Sequence, residues 1–195
     1  MGMQTDVWAV NPSAGIDDYF RGSATIAAAG TLNLSANEIG TNGWGYRVKF
    51  TSVGDETGTT LTISGIAVGE LGGNVTKEKM VGANGSFTLS NTYWSVVNSI
   101  VAETASVGAV KIGFGGDLAL PRTRVRAMYY VSASGSITLT AQKSNRVIFK
   151  LDTASSNINN IAFLPPEGLL TTRSTINDFC TVSLEGVTKL TIVCG

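Results

Sequence analysis

From Ala24 onward, runs of Val, Ile, Leu and aromatic residues are broken by polar residues at alternate positions. A period of two places successive side chains on opposite faces of an extended strand, one face toward a core and the other toward water. The pattern predicts strands near 24–28, 31–36, 46–52, 59–67, 73–81, 85–89, 93–102 and 108–114. A second series is predicted near 122–131, 135–142, 146–152, 159–164, 167–171, 178–184 and 188–194. Turn formers separate them: Asn42-Gly43, Gly54-Asp55, Gly72-Gly73, Asn84-Gly85, Gly115-Gly116-Asp117, Ser134-Gly135 and Glu185-Gly186. That punctuation belongs to sandwiches and barrels rather than to strand–helix alternation. No helical stripe exceeds two turns. The best candidate for a short helical turn is Asp17-Asp18-Tyr19-Phe20, which follows Asn11-Pro12-Ser13.

The expected fold is all-β: two β-sandwich or barrel-like modules of short antiparallel strands with an N-terminal arm. Glycines and a proline in GFGGDLALP, residues 113–121, interrupt the strand pattern and mark the internal boundary. The division is then an arm or strand over 1–20, a first β-module over 21–116 and a second over 117–195. Gln4–Val10 alternates like a strand and is expected to pair with the second module, beside its last strand. No period of 20–50 residues repeats, which argues against solenoids and propellers.

Composition narrows the chemistry. There is no histidine among 195 residues. Histidine is the usual proton shuttle near neutral pH and the commonest metal ligand. Its absence removes Ser-His-Asp and Cys-His catalysis and most zinc and haem sites, so no cofactor is expected. Charged residues make up only 14% of the chain, with 14 basic and 14 acidic side chains in balance. No overall field would steer this chain to nucleic acid or anionic lipid. A surface rich in Gly, Ser and Thr suits either a protein covered by neighbours or an ordinary β-domain. The opening MGMQTDVWAV lacks a signal-peptide layout, and no apolar run approaches a membrane span, so a cytoplasmic site of synthesis is expected. Cys180 and Cys194 fall on a terminal hairpin, FCTVSL-EGVT-KLTIVCG, nearly opposite each other on its apolar face. A disulfide is geometrically conceivable there, and a reducing compartment favours two buried thiols.

Few residues invite a functional reading. Gly113-Phe114-Gly115-Gly116 and Gly43-Trp44-Gly45 open no helix, so they read as turns rather than phosphate loops. Arg122, Arg124 and Arg126 are spaced by two and would line one strand face, either as a grip on an acidic partner or as a solvated, edge-protecting row. Asp17-Asp18 and Asp55-Glu56 are carboxylate pairs, and GDETG places the second pair in a turn. Trp44 lies between glycines and is the tryptophan best placed for exposure on a loop, where it would stack on a sugar or fill a partner's pocket. Packing back on its own sheet is the alternative, and the one the context favours. The expected partner-binding residues are Trp8, Tyr19 and Phe20 in the arm, Trp44, and Arg122, Arg124 and Arg126.

Two stretches carry a family resemblance. The first is VGDETGTTLTISGIAVG, with VTKEKMVGANG, NTYWSVVNSI and SVGAVKIGFGG, within 53–116. The second is RVRAMYYVSASGSITLTAQKSNRVIFKLDT with AFLPPEGLLTTRSTINDFCTVSLEGVTKLTIVCG, within 124–195, joined by the opening MQTDVWA. Both resemble β-rich virion proteins of tailed bacteriophages, particularly those of marine bacteria and cyanobacteria. The shared patterns are of turn and strand, so no active-site residue is carried over. The resemblance implies a structural protein of the virion, assembled in the host cytoplasm. Its most fitting role is a capsid decoration or cement protein on the outer head surface. The implied partners are the major capsid protein or other virion proteins, together with further copies of the chain in a homo-oligomer. A tail component (adaptor, tube-associated protein or fibre part) is the alternative from the same particle. A carbohydrate-binding β-sandwich using Trp44 is the alternative from another class.

Overall fold

The computed structural model describes residues 6–10, 15–37, 44–70, 73–164, 168–170 and 179–194. Every regular element among them is a β-strand, and the fold is all-β, antiparallel and sandwich-like. In chain order the strands are β1 (Asp6–Val10), β2 (Ile16–Thr25), β3 (Gly30–Thr31), β4 (Gly45–Ser52), β5 (Thr60–Ala67), β6 (Val75–Val81) and β7 (Phe87–Ala102). They continue as β8 (Ala109–Leu120), β9 (Arg124–Ala141), β10 (Arg146–Thr153), β11 (Ser156–Phe163), β12 (Leu169–Leu170) and β13 (Cys180–Cys194). The chain divides into two compact units: Ala14–Gly116, and Met1–Ser13 with Asp117–Gly195.

In the unit Ala14–Gly116, β7 organises the layers. Its first half pairs with β4, from Phe87 opposite Thr51 to Trp94 opposite Tyr46. Its second half pairs with β5, from Trp94 opposite Ala67 to Ala102 opposite Leu61. The break between the halves is a bulge at Ser90–Thr92, so the strands expected at 85–89 and 93–102 are one element. Alternate residues of both layers face inward. Phe20, Ile26, Val48, Phe50, Leu61, Ile63, Met80, Trp94, Val97, Ile100, Val110 and Ile112 form one buried cluster. Each such side chain contributes roughly 1.5–3 kcal/mol by leaving water.

Three local expectations are corrected. Asp17–Phe20 is not a helical turn but part of β2, whose inward Phe20 is completely buried. An arm over 1–20 is therefore split: Asp6–Val10 pairs with β13, while Ile16–Thr25 pairs with β8 and supplies the core. The glycines of 113–116 do not end a strand either, because β8 runs through them. A Cβ on Gly113 would lie 1.7 Å from the Ile16 carbonyl oxygen, so glycine there admits the close approach of β2.

The second unit is built on two long strands that bend together. β13 pairs with β9 along its length, from Cys180 opposite Ala141 to Cys194 opposite Val125. Ladder irregularities fall at Glu185–Lys189 on β13, and the other edge of β9 changes partner near the same point. Residues 135–141 of β9 carry β10, while residues 124–132 carry β11 and β12. Likewise the first residues of β13 pair with Leu118–Leu120 of β8, and its last residues with β1. The hairpin expected at 178–194 is thus one continuous strand. Glu185-Gly186 forms a bulge instead of a turn, with Gly186 at φ 63°. Cys180 and Cys194 consequently stand at opposite ends of β13, both buried and with no disulfide between them. Fourteen residue steps of about 3.3 Å along the strand separate cysteines whose Cα atoms would need to be roughly 4.4–6.8 Å apart for a bridge.

Candidate interaction surfaces

The residues nominated from sequence do not form one surface. Trp8 lies opposite Ile192 in the β1–β13 pair, and its side chain falls outside the described residues. Phe20 is wholly buried and Trp44 is 3% exposed, so neither side chain presents area to a partner. A sugar platform at Trp44 is accordingly absent. Tyr19 is half-buried, packed edge-on against Phe114 at 4.9 Å and against Phe20 at 5.3 Å. The arginine row is also broken. Arg122 sits in a bend before β9, and only Arg124 and Arg126 lie on the strand. Gly168 packs against both of their stems: a Cβ there would be 3.1 Å from Arg124 Cβ and 3.4 Å from Arg126 Cγ.

The carboxylates serve as structural acceptors. Glu56, fully buried, accepts hydrogen bonds from the Thr59 hydroxyl at 2.6 Å, the Gly108 amide at 2.6 Å and the Val107 amide at 3.0 Å. Burial alone would raise its pKa; the Thr59 hydroxyl and those two amides outweigh it and hold the carboxyl below the usual glutamate range. Asp55 closes its turn by accepting from the Thr57 hydroxyl and amide, which also lower its pKa. Asp17 pairs with Lys49 at 2.7 Å. Among the described residues no group of three or more His, Cys, Asp or Glu side chains could hold a metal ion.

The structure exposes apolar side chains in bends, at Val53 and Val107, and also on regular strands. Strand β6 turns Val75 and Val81, 57% and 49% exposed, to the outside with Lys77 and Lys79 between them. The Glu78 carboxylate of this strand accepts from the Asn91 and Thr92 amides of the β7 bulge, and the Val81 carbonyl accepts from the Thr88 hydroxyl. Phe87 is 50% exposed, with the Lys49 ammonium 4.4 Å from its ring centre. In the other unit Tyr129 and Ile161 are a directly opposed cross-strand pair, 39% and 48% exposed. The alternation in VTKEKMV was the signal for the β6 face; nothing in the sequence paired Tyr129 with Ile161.

No family model, no curated protein and no solved structure matches this chain.

Proposed function

We propose that the chain is a structural protein of a phage particle: a decoration or cement subunit that binds the outer head surface and neighbouring copies of itself. The observation that supports this reading is that several exposed apolar side chains stand on paired strands, although the two most exposed, Val53 and Val107, lie in bends. Tyr129 is held by ladders on both sides of β9, Ile161 by the ladder to β9, and Val75 and Val81 by the ladder to β5. Such positions lose little freedom on docking, so their burial contributes more fully to association. The resemblance of 53–116 and 124–195 to phage virion proteins supplies the particle. A standard interface of roughly 1,600 Å², repeated over many symmetry-related copies, would add avidity to modest single contacts.

The test is a quantitative protein count on purified particles, followed by rebinding of recombinant chain to stripped heads. Head-scale occupancy, roughly hundreds of copies set by capsid symmetry, is the expected result. Occupancy of roughly six to a few dozen would move the protein to the tail, and absence from particles would end the proposal. Tyr129→Glu with Ile161→Glu should fold normally, since both side chains are outward, yet rebind poorly. Deletion of residues 1–20 is unsuited to this purpose because it removes Phe20 from a core.

A further inference from the structure

We infer a second, independent site on the Ala14–Gly116 unit: a shallow groove of about 440 Å³ that takes a neutral saccharide. It lies between the segment after β3 and the bulged part of β7. Among the described residues six polar side chains line it: Thr31, Asn33, Ser35, Asn37, Asn98 and Ser99. The volume falls within the range of roughly 300–1,000 Å³ typical of small-molecule sites.

The groove follows from the sequence TLNLSAN. Leu32 and Leu34 turn inward and pack on the core cluster, which sends Thr31, Asn33, Ser35 and Asn37 outward. The segment is not a free loop. Its backbone is fixed by Leu32 N to Ile100 O at 2.9 Å, Ser35 N to Phe20 O at 2.8 Å and Val97 N to Asn37 O at 2.7 Å. Asn98 is the extra residue of a β7 bulge, between Val97 opposite Gly65 and Ser99 opposite Ser64. A bulge re-aims a side chain, and this one belongs to the groove wall.

The chemistry of the lining selects the ligand. None of the described lining residues is charged, so they offer no counter-ion to phosphate, sulfate or carboxylate groups. None of the six polar side chains makes a hydrogen bond with another described residue. Three carboxamides and three hydroxyls therefore offer donors and acceptors together, which matches sugar hydroxyls that both donate and accept. An extended peptide would find the Leu32 and Ser35 amides and the Asn37 carbonyl already bonded within the fold. With no aromatic ring among the described lining residues, single-site affinity is expected to be weak, roughly millimolar.

The test is an amide chemical-shift titration of the whole chain with maltose, lactose and N-acetylglucosamine. Glucose 6-phosphate, glucuronate and tetraglycine serve as comparators. The expected result is saturable shifts from at least one neutral sugar, confined to residues 31–37 and 97–99, and smaller shifts from the charged sugars. Asn33→Ala and Asn98→Ala, both at exposed positions, should each weaken binding about five- to tenfold and leave the remaining spectrum unchanged. Absence of shifts in those segments with all three neutral sugars would overturn the inference. So would equal or tighter binding of the charged sugars, or a preference for tetraglycine.

Discussion

The indole nitrogen of Trp94 donates to the Ser90 hydroxyl at 3.2 Å, inside the core and at the bulge that lets β7 serve two layers. The same oxygen accepts from the Val48 amide at 2.9 Å and donates to the Thr92 carbonyl at 2.7 Å. Its one donor and two acceptor positions are thus all used, and no water is needed. Ser90→Ala leaves two buried N–H donors without a partner. The expected loss is about 2–4 kcal/mol in urea unfolding, with the fold otherwise retained. A loss below about 0.5 kcal/mol would show that the bulge does not depend on this hydroxyl.

Glu56 makes stability fall in acid. Its carboxyl has a lower pKa folded than unfolded, so between the two values the unfolded chain binds more protons. The contribution is complete above the ordinary glutamate range and disappears as pH drops through the depressed folded value. Glu56→Gln should be less stable at neutral pH and show a flatter stability profile below about pH 4. Chemical denaturation at a series of pH values measures both. Asp55 and Glu103, also lowered, add slope of the same sign.

Tyr46 acts at the other end of the scale. It stacks on Phe114 at 5.0 Å, and burial pushes its pKa up to about 12. A raised value means stability is intact below about pH 10 and is lost as pH climbs toward 12. Absorbance at the phenolate band should show one tyrosine ionising late, together with alkaline unfolding. Tyr46→Phe should abolish that late ionisation and flatten the stability slope over the same interval.

The bend of the second unit rests on two facing glycines. A Cβ on Gly135 would lie 2.0 Å from the Glu185 carbonyl oxygen and 3.1 Å from Gly186 Cα. Both obstacles are backbone, so relief requires moving the strand. Gly135→Ala should cost at least about 3 kcal/mol or prevent this unit from folding. Gly58→Ala, where a Cβ meets nothing within 4 Å, should change stability by less than about 0.5 kcal/mol.

The cysteines give a simple check on the topology. With Cys180 and Cys194 buried at opposite ends of β13, neither should react with a thiol reagent in the native protein. Both should react after unfolding without reductant. A native intramolecular disulfide would require the hairpin that β13 replaces.

Much of the fold was written in local alternation. The inward faces of β4 and β5, Val48 with Phe50 and Leu61 with Ile63, follow directly from period-two patterning. Ser134-Gly135 and Glu185-Gly186 show where that reading stops. Each is a sound turn signal, because glycine lowers the cost of a sharp backbone change. Whether the change becomes a reversal or a bulge depends on the strand alongside, and here each glycine admits the other's backbone. The same limit applied to the surface. Trp44 between two glycines left both a loop position and packing on its own sheet open; Gly45 admits close approach to the Trp94 carbonyl, 1.9 Å from a would-be Cβ, and Trp44 itself is buried.

Period and composition alone determined that this chain is an all-β protein without histidine chemistry, because alternation is a property of neighbours in sequence. Only the tertiary structure decided which turn signals became bends within long strands, which aromatics went inside and which outward side chains came to face one another. Those outcomes depend on contacts between residues distant in the chain, such as Tyr129 with Ile161 or Ser90 with Val48, and packing at such contacts overrides local preference.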